Sequence, residues 1–486
     1  MAKRKPWYRA RNVCLGIVAI VVGLIVREVV LALTAEPGRA IDYGARAVEH
    51  VEANQPKGLA AEEPNLWPKI AQETETFRAL LVEAAGGGGA PVEIDVLYAP
   101  SVENRPDGWS LETARAAALA AMELAKQRGM QGRMAEIAAG RRFVRPAQPG
   151  HLFEWLLPEL GGMRSMARYS AARMALAREK GDWPEFVRAY EEGMSLARAA
   201  TMQFTLIDGL VGYAIASLMA TRVREALVVA RPDEATLAAL LVAHDRQARL
   251  TPASRSLEGE RIGCLDTIQW SHTDDGRGSG RLILTQLNTI SSLSGSGGGF
   301  APGSLAIINI GSVAFPSKRA VSKRANEFFD AVVAYADKPR SERAATGFDP
   351  DTWVETLPRR HVLLRMLAPA VGKAVGSWDQ TRLQLDGTRT MIAIEIFERR
   401  NGKYPATLAD LAPGVIAQVP TDPYSTGSLA YRVIDGDPAG RKYLLYTIGA
   451  DGKDNNGHQA EKEREKALRD RGGIGLDYVL NDPPKK

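Results

Sequence analysis

A mainly helical fold with a small α+β end is what this sequence predicts, and three observations predict it. An unbroken apolar run begins at Val13 behind a cluster of basic residues. Helix-spaced apolar positions with capping residues recur from Ser110 to about residue 375, and a pair of strand-like runs follows only after residue 428. At 486 residues the chain exceeds one ordinary core, which points to several domains with linkers. Its 45% hydrophobic and 24% charged content argues against wholesale disorder and against a polytopic membrane protein.

Charge is unevenly placed. The formal net charge is +5, and residues 1–11, a basic tail, hold Lys3, Arg4, Lys5, Arg9 and Arg11 with no acid, so the remainder balances to zero. A neutral body leaves no electrostatic footprint for nucleic acid, and no nucleic-acid partner is expected. Val13 to Val26 is uninterrupted apolar sequence that resumes after Arg27 and Glu28. At 1.5 Å per residue, 23 positions span roughly 34 Å, enough for a bilayer core. Residues 12–35 therefore read as a transmembrane signal anchor with the basic N-terminus in the cytoplasm and everything beyond outside it. A cleaved signal peptide is the rival reading, although no good Ala-x-Ala site follows. The second apolar stretch, Phe204 to Ala220, contains Asp208, Gly209 and Gly212 and lacks a basic leader, so it reads as a buried core helix. Cys14 and Cys264 are the two cysteines and are not expected to pair.

Residues 36–109 read as a linker and small mixed region. Trp67, Ile70, Phe77, Leu80 and Leu81 fall at helical spacing, Gly86 to Gly89 form a joint, and Val92 to Tyr98 alternates like a short strand. Residues 110–375 read as the helical domain. Ser110 is a plausible N-cap; Gly181 ends one helix, Asp182 caps the next, and Pro184 suits its first turn. This hairpin resembles a single tetratricopeptide-type unit, but no second copy recurs at a fixed period, so a bundle and a repeat-like body both remain open. Further helices are expected over 204–230, 233–249, 256–270, 318–338 and 350–375. Between them, residues 273–317 are Gly/Ser-rich and read as an insertion or long loop.

The final region, 376–486, carries a more specific pattern. A long helix reaches Arg400 and is followed by Tyr404-Pro405, then Val419-Pro420-Thr421-Asp422-Pro423-Tyr424. Strand-like runs at 429–433 and 442–448 come next, then Gly449-Ala450-Asp451-Gly452. This order resembles the globular domain of the major pseudopilin of type II secretion systems, as found at the end of large bacterial membrane-anchored helical proteins. The resemblance implies a short antiparallel sheet, an inner-membrane, extracytoplasmic setting and a calcium loop, with Asp451, Asp454 and Asp477 at the matching positions. Calcium suits such a loop because it takes six to eight oxygens. The alternative is that Asp451 and Asn455 make turn bonds while the glycines adopt positive φ. The helix before the module departs from the family: Arg382, Asp386, Arg389, Glu395, Glu398, Arg399 and Arg400 make it unfit for a membrane-embedded filament core.

No catalytic constellation emerges. The six histidines are scattered, no HExxH or Gly-x-Ser-x-Gly motif is present, and Glu258/Glu260 or Asp274/Asp275 are the acidic pairs that acid–base work would draw on. Glu461 to Asp470 reads as an exposed, ion-paired helix. The sequence is thus expected to encode a membrane-anchored, non-enzymatic envelope scaffold with a protein partner. An accessory component of a secretion or pilus-like system, and an unrecognised hydrolase in the helical region, are the alternatives.

Overall fold

The computed structural model describes Gly23 and residues 36–60, 62–86, 91–98, 109–274, 279–283, 286, 289–290, 315–368, 371–449, 452–458 and 477–483. The expected anchor apart from Gly23, most of the Gly/Ser-rich insertion, Asp451 and the charged run 461–470 lie outside these residues. What is described is mainly helical, with one small antiparallel sheet.

Two helices, α1 (Tyr43–Asn54) and α2 (Trp67–Ala84), occupy the region expected to be mixed. The strand expected at 92–98 is instead a 3₁₀ turn, Ile94–Leu97. A lone strand there would have no edge to pair with, whereas the turn closes its own bond from the Tyr98 N–H to the Asp95 carbonyl and buries Ile94, Val96 and Leu97. Helices α3 (Leu111–Gln127) and α4 (Met130–Ala139) follow, and the Ser110 side chain caps α3 as expected.

The capping signals of the central hairpin operate as read. Gly181 closes α5 (Glu159–Lys180) at φ +68°, where a side chain would be strained, and Asp182 accepts the Glu185 N–H at the start of α6 (Trp183–Thr201). Helix α7 (Leu206–Val229) is, among the described residues, the one helix long and apolar enough to cross a membrane. It packs against α5 and α6 within the body and contains buried Asp208 and Arg224. Arg224 donates to the Gln384 carbonyl and the Thr388 hydroxyl, both at 3.1 Å, so α7 has the surroundings of a core helix rather than of lipid. Gly212 allows the close α6–α7 approach: a Cβ there would lie 2.4 Å from Thr201 Cγ2 and 2.7 Å from the Ala197 carbonyl oxygen.

Helices α8 (Glu234–Gln247), α9 (Ala253–Trp270) and α10 (Lys318–Ala336) match their expected positions. The helix expected over 350–375 is broken into α11 (Pro350–Thr356) and α12 (Val362–Leu367). Pro358 explains the break, because the residue before a proline is driven out of helical geometry, and Leu357 has ψ 131°. Helix α13 (Val371–Asn401) then runs unbroken through residue 376, where the C-terminal region was expected to begin. Its first turns join a cluster built on α9 and α10, and its middle joins the main core. That core extends from Trp67 to Leu480.

The sheet has the order β1 (Ala430–Val433), β2 (Tyr443–Thr447), β3 (Tyr478–Val479), with Ala430 opposite Tyr446 and Thr447 opposite Tyr478, antiparallel throughout. β1 and β2 lie where alternation placed them. The two-residue β3 is too short for periodicity to reveal. The Tyr-Pro turn supports the sheet: Tyr404 packs against Tyr443 with ring centroids 5.4 Å apart, and the Tyr431 hydroxyl donates to the Pro405 carbonyl at 3.0 Å.

Candidate functional site

The acidic loop expected to bind calcium is partly described. Asp454 Oδ1 accepts the Tyr446 hydroxyl at 3.0 Å and the Asn456 N–H at 2.7 Å, while Asp477 Oδ2 accepts the Gly457 N–H at 2.6 Å. Asn456 and Gly457 both adopt positive φ, as turn chemistry requires. Asp477 is 2% exposed, and its Oδ1 has no hydrogen-bond partner among the described residues. The chain thus brings Asp454 and Asp477 to the same loop, near the Tyr446 hydroxyl, which burial and the bond to Asp454 push up to about 12. Asp451 lies outside the described residues. Among those residues no three His, Cys, Asp or Glu side chains converge as a metal site.

The groups weighed for catalysis have ordinary structural roles. Buried His244 pairs with the Tyr190 hydroxyl at 2.8 Å through Nδ1, and His272 Nδ1 lies 2.8 Å from the Ile268 carbonyl oxygen. Burial is the main cause holding both imidazoles down at about 4. Glu258 pairs with Arg261, Glu260 accepts the Leu206 N–H at 3.1 Å, and Asp274 lies 3.8 Å from Lys318. Cys264 is a buried free thiol, pushed up to about 12 by burial and by Glu260.

A different site stands out. A cleft of about 570 Å³ is lined by Lys57, Arg141, Arg198, Arg246, Arg249 and Arg255, with Asn54, Met202, Leu250 and Thr251 among its other walls. It shares Arg141, Arg198 and Arg246 with an adjoining cleft of about 480 Å³ lined also by Ala135, Ala138 and Ala139 of α4, by Arg188, which pairs with Glu185, and by Glu191 and Glu192, the latter paired with Arg173. Of the six cations only Arg246 has a carboxylate partner among the described residues, Glu191. Arg198 donates through Nη2 to the Gly140 carbonyl at 2.8 Å, and its Nε is buried without an acceptor. Arg249 donates to the Asp245 carbonyl and Arg255 to Asn54 Oδ1. Burial, then the like charges of Arg246 and Arg141, bring the Arg198 guanidinium down to about 10.

Local physics explains the position of five of the six cations; Arg255 instead lies in the first turn of α9, at a positive helix end. Helices α1, α4, α6 and α8 end at Asn54, Ala139, Thr201 and Gln247, all close to this cleft, and basic side chains suit the negative end of the helix dipole. Four helix C-terminal ends amount to about two negative charges and the N-terminal end of α9 to about half a positive one, at about half a charge each. Glu191 brings the negative total to about two and a half, against six cations, so the cleft holds a surplus of at least about three positive charges. Arginines in such a setting are planar forks matched to carboxylate and phosphate oxygens.

Sequence reasoning missed this cleft because its residues come from five separate segments and the body's charge sums to zero. The one local signal is basic residues at successive helix C-terminal ends, which is ordinary capping chemistry. No family model matches this chain, and no curated protein or solved structure does. The architecture is that of a mainly helical body with a small antiparallel sheet and a cationic cleft, and the pseudopilin resemblance rests on the sequence motifs alone.

Proposed function

We propose that this protein is a membrane-anchored, extracytoplasmic, non-enzymatic scaffold of the bacterial envelope that holds an anionic partner group in the arginine cleft. The observation that carries the binding reading is the surplus of cations in a concave site whose lining holds no carboxylate, Glu191 and Glu192 lining the adjoining cleft. The basic tail followed by the apolar run at 12–35 supports the tether and its direction. The C-terminal motifs support a pseudopilin-like module, here joined through α13 to the body's core, which favours a fixed appendage over a filament subunit.

Two measurements test the proposal. A phosphatase reporter fused after Lys486 is expected to be active outside the cytoplasm, and to lose membrane association when residues 1–35 are deleted; an inactive fusion to the full chain overturns the orientation. In a thermal-shift panel of anions on the detergent-solubilised full chain, at least one is expected to stabilise beyond chloride at equal ionic strength. A flat panel overturns the binding reading.

One observation favours a second ligand. Asp477 places a buried carboxylate oxygen with no partner among the described residues in the same loop as Asp454, and a hard cation relieves such an oxygen. Calcium is therefore expected to raise the melting temperature relative to chelator, and Asp477→Asn to abolish the increment. Equal melting with calcium and with chelator would leave turn chemistry as the loop's whole role.

A further inference from the structure

The arginine cleft has a shape and charge that select among anions, which the binding reading above leaves open. We infer that it takes a compact phosphate-bearing polyanion, two or three phosphoryl groups on a small framework, in preference to an extended acidic polypeptide or a nucleic acid. The inference rests on the proposal that the cleft binds an anion at all.

Charge density is the first argument. The surplus of at least about three positive charges, after helix ends and Glu191 are counted, is gathered around about 570 Å³, the size of a small-molecule site. A ligand that balances it must carry about three negative charges in that volume. Adjacent phosphoryl groups do so. A polypeptide spreads its carboxylates along a backbone and would leave most of them outside.

Donor chemistry is the second argument. Five of the six cations are arginines, whose rigid N–H forks converge on tetrahedral oxyanions. The Arg141 and Lys57 side chains make no hydrogen bond or ion pair among the described residues, while Arg198 is fixed by the Gly140 carbonyl and by its position over the Phe143 ring, 5.7 Å from the centroid. The site thus combines a pre-positioned guanidinium with side chains free to close on a ligand.

The lining itself is the third argument. Neither cleft is lined by an aromatic side chain, so there is no platform on which a nucleobase would stack. Small and aliphatic residues, Ala135, Ala138, Ala139, Met202 and Leu250, fill the walls between the cations. They suit a framework without rings that demand stacking.

Calorimetric titration of the detergent-solubilised full chain tests this with four probes: inorganic triphosphate, fructose 1,6-bisphosphate, a twelve-residue glutamate peptide and a single-stranded oligonucleotide. Saturable one-to-one binding of either phosphate probe is expected, weakening steeply as salt is raised. Tighter binding of the bisphosphate places recognition partly on the framework, and tighter binding of triphosphate places it on the phosphates alone; both support the inference. Arg141→Gln with Arg246→Gln is expected to weaken binding by about tenfold or more, because two of the cleft's forks are removed, Arg141 being one without a carboxylate partner among the described residues. Arg400→Gln, on the exposed pair with Glu234 outside the cleft, is expected to change nothing. The unliganded double variant should melt no lower than wild type, since it relieves repulsion around Arg198, and this separates lost binding from lost fold. Phosphate binding undiminished in the double variant overturns the inference. Peptide or oligonucleotide binding without phosphate binding overturns it while leaving the scaffold reading in place, and no binding of any probe overturns both.

Discussion

Replacing Arg145 by alanine is expected to destabilise the protein by about 3–5 kcal/mol, the cost typical of stranding buried charge. The Arg145 side chain is 2% exposed and donates to Glu159 Oε1 at 2.6 Å and, through both terminal nitrogens, to Asp208 at 2.6 and 2.9 Å. Its guanidinium also lies over the Trp67 ring, 4.6 Å from the centroid. The cluster carries one more acid than base. Glu159 sits at the start of α5 and Asp208 in the first turn of α7, where each helix supplies about half a positive charge, so the group is close to balanced. Without Arg145 two buried carboxylates face each other with no cation. Denaturant unfolding monitored by tryptophan fluorescence checks this. Arg231→Ala is the comparison: Arg231 pairs with Glu398 at 2.8 Å but is 66% exposed, and a loss of under about 1 kcal/mol is expected there. Similar midpoints for the two variants would mean that the buried cluster does not hold α2, α5 and α7 together.

A pair of glycines in α9 should respond in opposite directions to the same substitution. A Cβ on Gly259 would lie 1.8 Å from the Phe204 carbonyl oxygen and 2.7 Å from its carbon. Those are backbone atoms just before α7, so relief requires moving one helix against another, and Gly259→Ala is expected to cost about 3 kcal/mol or more. Gly263, one turn further along, has nothing within 4 Å of that position. Gly263→Ala removes backbone freedom from the unfolded chain and should stabilise by about 0.5–1 kcal/mol. Melting temperatures that move in the same direction would show that the α9–α7 contact is looser than described.

Most helices were legible because their signals are local. Ser110, Gly181 and Asp182 act within one turn, and the apolar spacing of α2 and α6 is fixed by helix geometry whatever packs against it. Asp208 and the glycines of α7 identified a core helix before its neighbours were known. Two expectations failed where a local pattern needed a partner or contained an overlooked stop. Val92 to Tyr98 alternates but has no strand beside it among the described residues, and Pro358 interrupts the run read as one helix. For the acidic loop, the motif placed Asp454 and Asp477 together, and their actual bonds needed the backbone path.

By itself the sequence determined the helical class, the positions of helices α5 to α10, the strands β1 and β2, and the concentration of net charge in the first eleven residues, since each depends on neighbours within a few positions. The tertiary structure alone decided that α13 enters both cores, that Arg145 closes a buried ion cluster, and that four helix C-terminal ends with their cations meet at one cleft. The physical reason is that charge and shape in a cleft are sums over space, whereas composition and periodicity are sums along the chain. A body that is neutral in the second sense can still be strongly cationic at one point in the first.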